Sequence, residues 1–325
     1  MPFIFDNSWA VLLPSIYKID NQLISNRKTH LLIPKPVSVY IFTILSFYLS
    51  MIIVIQCIDQ VGLIASITAI LAKERLNIVS MREHVDQTYN RFFMRLEITF
   101  DGNSMLLEKE LRSILPPDAA IHINPLPEKK IIVMVTKEYH CLADILIRNY
   151  YGTLGATVLA VIGNHTVLQD ICKRFDMPFF AVSHERISKE EFESKITGII
   201  EQHEPDYIVL AKFMRILSPA LVAKFPNRII NIHHSFLPAF VGANPYRQAF
   251  ERGIKLIGAT AHYVSNELDE GPIIAQQIIS VNHSYTAADM VKAGKEIETA
   301  VLATALKLIF EDRVFVYKNK TVVFD

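Results

Sequence analysis

Two short stretches gather residues able to move a proton or polarise a carbonyl most densely. The first, Asn231-Ile232-His233-His234-Ser235-Phe236-Leu237-Pro238, follows an apolar Ile229-Ile230 pair. Side chains alternate in direction along an extended segment, so Asn231 and His233 face the same way. An amide can donate to a developing oxyanion, and an imidazole exchanges protons near neutral pH, a pairing suited to acyl-group chemistry. The alternative is a loop whose polar side chains only cap neighbouring backbone. The second stretch, Thr260 to Pro272, carries His262 on a strand and Glu267, Asp269 and Glu270 in the loop behind it. A carboxylate close to His233 would orient a water or raise the basicity of the imidazole. Without that proximity it is a solvated acidic turn. Metal ligation is not expected: His233 and His234 are adjacent with diverging side chains, and the sequence holds no HExxH or CxxC.

Such residues need elements that bring strand ends together. Ile131 to Val135 is an unbroken apolar run suited to a strand covered on both faces. A helix over about Tyr139–Asn149, a strand over Thr157–Ile162 and a helix over His165–Phe175 follow. Phe179–Val182, Ser188–His203, Tyr207–Leu210 and Ile229–Ile232 extend the alternation. This β-α-β-α order predicts an α/β fold with a doubly wound, mostly parallel sheet, where ligands settle outside the carboxyl ends of the strands. A long helix over about Thr286–Phe310 comes next, then a hairpin of Val314–Tyr317 and Val322–Phe324. Upstream the rhythm differs. Ile52–Cys57 reads as a strand, and Gly62–Glu74 places Leu63, Ile64, Ile67, Ile70 and Leu71 at helical spacing. Ile78–Val85 and Arg91–Phe100 are β-rich, Met105–Leu115 is a helix halted at Pro116-Pro117, and Ala119–Ile123 is a further strand. A βαββαβ unit of this kind commonly folds alone. The sequence therefore divides into an extension over 1–50, a first domain over 51–125, a linker over 126–130 and a second domain over 131–325.

At 325 residues the chain has room for two cores. Its 51% hydrophobic and 20% charged residues are globular rather than disordered. Lys+Arg and Asp+Glu are both 33, a balance that offers no basic face to nucleic acid. Cys57, Cys141 and Cys172 are scattered and odd in number, which fits neither a disulfide framework nor a zinc knuckle and points to a reducing cytoplasm. No residue from Pro36 to Ile58 is charged, which reads at first as a membrane helix or a signal segment. With Ile52–Cys57 assigned to a strand, only Val37–Ser50 remains, too short to span a bilayer comfortably. The expectation is a weakly structured extension on a cytosolic protein, with Met51 as an alternative start of the native chain.

Taken together, Asn231 to Pro238 and His262 to Pro272 resemble the formyltetrahydrofolate-dependent enzymes. Their shared pattern is Asn-x-His-x-Ser-x-Leu-Pro followed by a catalytic Asp, and Asp269 stands at the family spacing, 38 positions after Asn231. Leu210 to Leu217 is similar to the segment lining the family's folate pocket, and Cys57 to Ala65, in its βαββαβ context, resembles an ACT regulatory domain. The nucleotide transferases of this group open with a strand and a Gly-rich loop whose amides hold the acceptor's phosphate. Here Ile131 to His140 contains no glycine. An ACT domain fused ahead is the arrangement of formyltetrahydrofolate deformylases, which Val135 to Glu138, His233 to Phe240 and Gly258 to Tyr263 resemble in particular. The resemblance covers about Ile52 to the C-terminus. Arg247 departs from it, since related deformylases often carry His there and the transferases Arg.

The resemblance implies hydrolysis of 10-formyltetrahydrofolate to tetrahydrofolate and formate, supplying formate for purine biosynthesis and balancing one-carbon folate pools. It implies Asn231, His233 and Asp269 as catalytic residues, with Met214, Arg215, Ile216, Leu217, His262 and Ser265 against the folate and no metal or other cofactor. It also implies an amino-acid effector, glycine or methionine, near Asp59, Gly62, Leu63, Ile64 and Asn77, and a homo-oligomer paired through ACT domains. A purely structural pairing module is the alternative for that domain. For the whole chain the alternatives are formyl transfer to an amine acceptor and a catalytically silent folate-binding regulator.

Overall fold

A computed structural model of the protein describes residues 50–99, 104–124, 128–238 and 245–324. The sequence readings for the extension over 1–49, for 125–127 of the linker and for Ala239-Phe240 lie outside these residues.

The first domain runs β1 (Ser50–Ile58), α1 (Leu63–Lys73), β2 (Ile78–Asp86), β3 (Arg91–Thr99), α2 (Ser104–Ile114) and β4 (Ala120–Asn124). Its sheet has the order β2-β3-β1-β4, antiparallel throughout. Alternation puts Met51, Ile53, Ile55 and Cys57 on one face, where they pack with Leu63, Ile67 and Leu71 of α1 and Leu107 and Leu111 of α2. The second half of the uncharged run is thus a central strand. Among the described residues no helix is long and apolar enough to cross a membrane. Gly62 caps α1 at φ +91°, a left-handed conformation that a side chain would strain.

The second domain follows as β5 (Lys129–Val135), α3 (His140–Tyr150), β6 (Ala156–Gly163), α4 (Gln169–Arg174), β7 (Phe179–Ala181), α5 (Lys189–His203) and β8 (Tyr207–Leu210). It continues with α6 (Pro219–Lys224), β9 (Ile229–His233), α7 (Pro245–Glu251), β10 (Leu256–Tyr263), β11 (Ile273–Ser280), α8 (Ala287–Phe310) and the hairpin β12 (Val314–Tyr317) and β13 (Lys320–Val323). The main sheet has the order β11-β10-β9-β8-β5-β6-β7. β5 to β9 are parallel, while β10 and β11 run antiparallel at one edge. Strand order reverses at β5, which lies between β6 and β8, and such a switch point opens a crevice at the carboxyl ends. Every residue of the Ile131–Val135 run is fully buried, as a strand covered on both faces requires. α8 buries Met290, Ile297, Val301, Leu302, Ala305 and Ile309 at helical spacing and starts with a Thr286–Asp289 capping box.

Two readings need correction, and three elements were not anticipated. β5 begins at Lys129, inside the stretch read as linker, because the Lys129 ammonium is buried against Asp312 at 2.8 Å. The helix read over His165–Phe175 is confined to Gln169–Arg174. α6 and α7, at six and seven residues, are too short to leave a clear period, and Gln276-Gln277 interrupt the apolar pattern of β11.

The C-terminal hairpin packs on the first domain. Phe93 of β3 meets Phe315 of β12 edge-on, their ring centroids 5.6 Å apart, and Phe324 completes a small buried cluster. Phe93→Ala is expected to destabilise the protein by about 3–5 kcal/mol, read as a lower urea midpoint. An unchanged midpoint would remove this cluster from the forces holding the hairpin.

Candidate functional site

β9 and β10 pair so that His262 stands directly opposite Asn231. The Asn231 amide nitrogen lies 3.2 Å from His262 Nε2, and His262 Nδ1 lies 2.9 Å from the Tyr263 carbonyl. A carbonyl only accepts, so Nδ1 carries the proton and Nε2 accepts from the Asn231 amide. Burial lowers the His262 pKa, which keeps the ring neutral as this arrangement requires. One Asn231 N–H is therefore committed to His262, and the amide is held in one orientation.

Two residues along β9, His233 Nδ1 lies 3.2 Å from Asp269 Oδ1. Asp269 Oδ1 is also 3.8 Å from His262 Nε2. The hydrogen bond from His233 holds the Asp269 carboxyl below its ordinary pKa against the opposing effect of burial, so it is ionised at neutral pH. That leaves His233 Nε2 as the ring nitrogen for other work; it is buried and has no hydrogen-bond partner among the described residues.

The local backbone explains the placement. Asp269 sits at φ +59°, uncommon for a residue with a side chain. Two positions on, a Cβ at Gly271 would fall 1.7 Å from the Tyr263 carbonyl oxygen, so only glycine fits. The loop closes by a bond from the Tyr263 amide to the Pro272 carbonyl, 2.9 Å, and inside it the Ser265 hydroxyl donates to the Glu267 carbonyl, 3.0 Å. After β9, buried Thr260 accepts from the Leu237 amide and donates to the Ser235 carbonyl, at 3.1 and 2.9 Å. Asn231, His233 and Asp269 line a pocket of about 620 Å³ that Met214, Arg215, Ile216, Leu217, His262 and Ser265 also line. Thr136, just past β5, accepts from the Met214 amide at 2.9 Å and ties that segment to the switch point.

The residues read as an effector site are not all brought together. Asp59, Gly62, Leu63 and Ile64 share the turn between β1 and α1, where the Asp59 amide donates to the Asn90 carbonyl. Asn77 follows the other end of α1, whose eleven residues span about 16 Å. Its carbonyl accepts from the Thr99 amide at 2.9 Å. A single chain does not assemble that set.

A second polar cluster on the same pocket wall was not anticipated. Glu298 is 1% exposed; its Oε1 accepts from the Tyr246 hydroxyl at 2.7 Å. Its Oε2 lies 2.8 Å from His140 Nε2 and 3.2 Å from Lys212 Nζ. Burial alone would raise the Glu298 pKa, but the His140 hydrogen bond, the Lys212 charge and the Tyr246 hydroxyl together hold it down at about 2. His234 lies between the His233 and Tyr246 rings, and burial pushes its pKa down to about 4, so it is neutral at physiological pH. His140, Cys141 and Glu298 are close enough to surround a cation. The chemistry fits poorly: Lys212 already neutralises the carboxylate, and burial keeps the Cys141 thiol protonated when a ligand must be a thiolate. The signal for Glu298 was an acid on the apolar stripe of α8, between Ile297 and Val301.

A family model for formyl transferases matches residues 129–306, and one for ACT domains matches residues 51–115. The formyltetrahydrofolate deformylase of Escherichia coli strain K12 is 52% identical over 267 residues, 82% of this chain and 95% of that protein. A crystal structure of a formyltetrahydrofolate deformylase from Pseudomonas syringae pv. tomato is similar with a TM-score of 0.82 at 38% identity, covering 90% of this chain and 100% of that one. Glycinamide ribonucleotide transformylase 1 from Symbiobacterium toebii is similar with a TM-score of 0.59 at 28% identity, covering 62% of this chain and 96% of its own.

The depressed Glu298 pKa gives a pH prediction. A carboxyl held below its unfolded value adds stability that is complete above about pH 4.5 and fades as pH falls toward about 2. Glu298→Gln should flatten stability against pH across that window. At neutral pH it should cost about 3–5 kcal/mol, because the buried Lys212 loses its counter-charge. Denaturant titrations at several pH values measure both effects; parallel curves for variant and native protein would refute the assignment.

Proposed function

The chain belongs to the formyltetrahydrofolate deformylase family, and on that premise we propose that it hydrolyses 10-formyltetrahydrofolate to tetrahydrofolate and formate. The observation that carries the reading is the His233–Asp269 pair beside an Asn231 amide oriented by His262. Folate lies along Met214 to Leu217 and the Ser265 to Asp269 loop. Water attacks the formyl carbon and passes a proton to the Asp269 carboxylate. The oxygen that becomes negative is met by the second N–H of Asn231 and by His233 Nε2 in its protonated form. Collapse breaks the bond between the formyl carbon and the folate nitrogen, which takes the proton from Asp269. Formic acid leaves and ionises to formate. The one transferred proton rests on Asp269 between attack and collapse, and the step calls for no cofactor.

Water as acceptor is supported by the turn after β5. Thr136 to Tyr139 carries a side chain at each position, and Glu138, paired with Lys295 at 2.6 Å, puts a carboxylate on the pocket wall. The pair is neutral overall and adds no net positive charge to anchor an acceptor's phosphate. Arg247, the residue shared with the transferases, also lines the pocket; its side chain is 75% exposed and bonds Glu251 on its own helix at 3.0 Å.

The proposal extends to the ACT domain and the setting. Glycine or methionine binds at the Asp59 to Ile64 turn. Chains pair through this domain, and because Asn77 lies a helix length from that turn, any part it plays requires a second copy. The three cysteines are free and buried, which suits a reducing cytoplasm, where the released formate serves purine biosynthesis. Titrating each amino acid against formate release is expected to change the rate with at least one; a flat response to both would leave only a structural role for the domain.

Removing an oxyanion donor typically costs about a hundredfold or more, so Asn231→Ala should lower kcat by that order, and His233→Ala likewise. Near-native formate release by both variants would overturn the assignment. Gly271→Ala should lower kcat about tenfold to a hundredfold while the protein stays folded, because the Asp269 loop must move away from the Tyr263 carbonyl. Native turnover in that variant would show that the loop's position is immaterial.

A further inference from the structure

We propose that Asn319 and Thr321 of the C-terminal hairpin are positioning residues for Asp269, and that the hairpin links the ACT domain to the catalytic loop; this rests on the hydrolytic reading above. Asp269 occupies an unfavoured backbone conformation, so its loop must be held from outside as well as within. Within the loop, the Tyr263–Pro272 closure holds its base, while the stretch carrying Asp269 has only the Ser265 hydroxyl on the Glu267 carbonyl and a long 3.4 Å bond from the Glu270 amide to the same carbonyl. The external ties come from the hairpin. Asn319 Nδ2 donates to the carbonyl of Glu270, the residue after Asp269, at 2.8 Å. The Thr321 hydroxyl donates to the carbonyl of Ile273, the first residue of β11. The two donors bracket Gly271-Pro272 and fix both sides of the turn that sets Asp269.

The hairpin is in turn gripped by the ACT domain. Tyr317 meets Tyr89 edge-on at 5.7 Å, Lys318 Nζ stands 3.7 Å from the centre of the Tyr89 ring, and Phe315 packs on Phe93. At its root, Arg95 Nε donates to the Glu311 carbonyl at 2.9 Å, and Asn124 and Lys129 both hold Asp312. A shift of β3 against the catalytic domain therefore moves the two donors that fix the Asp269 turn. Misplacing a reacting group by about 1 Å can cost a hundredfold in rate.

The test is steady-state formate release by the full chain, with KM and thermal midpoint measured in parallel. Asn319→Ala and Thr321→Val should lower kcat about tenfold or more at unchanged KM and midpoint, and Thr321→Ser, which keeps the hydroxyl, should restore native kcat. Native kcat in both donor-less variants overturns the inference. So does a loss that tracks the thermal midpoint, or a Ser variant as slow as the Val variant. A native protein that releases no formate overturns the hydrolytic reading itself, a result distinct from these and fatal to both.

Discussion

The hydrogen bond between His233 Nδ1 and Asp269 Oδ1 decides which ring nitrogen is left for the pocket. The same carboxylate lies beside His262, whose neutral ring is fixed by the Tyr263 carbonyl and fixes Asn231 in turn. Four side chains from two strands and one loop thus form two donor–acceptor pairs set side by side, His233 with Asp269 and Asn231 with His262. Move Asp269 and the His233 ring loses its orientation. The tight contact at Gly271 and the closure between Tyr263 and Pro272 prevent that movement.

Elsewhere in the pocket lining, Glu298 organises a different set of elements. It gathers His140 from the start of α3, Lys212 from the turn after β8 and Tyr246 from α7 around one buried carboxylate on α8. Buried charge is weak evidence for stability, since apolar packing often does as well. Its value here is geometric. A fully partnered carboxylate admits one arrangement of its donors, and those donors hang from the elements that wall the pocket. Preorganisation of this kind suits electrostatic catalysis, where groups must not reorganise as charge develops.

Much of this was legible in the residues. Alternation along β9 put Asn231 and His233 on one face, and the resemblance to the formyltetrahydrofolate-dependent enzymes, with Asp269 at their spacing, tied the two polar clusters together. The unbroken Ile131–Val135 run announced a strand covered on both sides. What stayed hidden depended on pairing across the chain. That His262 orients Asn231 follows from the register of β9 on β10, and no property of either strand alone fixes a register. Glu298 left a trace, an acid on an apolar stripe, but its partners are 52, 86 and 158 positions away (Tyr246, Lys212 and His140). Asn319 left none, because an Asn in a hairpin turn is ordinary turn chemistry until its distant acceptor is known. The placement of Asn77 also needed the length of α1 in space.

The hairpin's place in the chain has a consequence for synthesis. Proteins emerge from the ribosome N-terminus first and tend to fold domain by domain. Asn231, His233, His262 and Asp269 all emerge before Phe315, Asn319 and Thr321. A nascent chain can therefore hold these four side chains while the ties from Asn319 and Thr321, and the packing of Phe315 on Phe93, are still unmade. If the hairpin positions Asp269 as proposed, its alignment waits until the two domains have been fastened together, and the order of translation is also an order of activation.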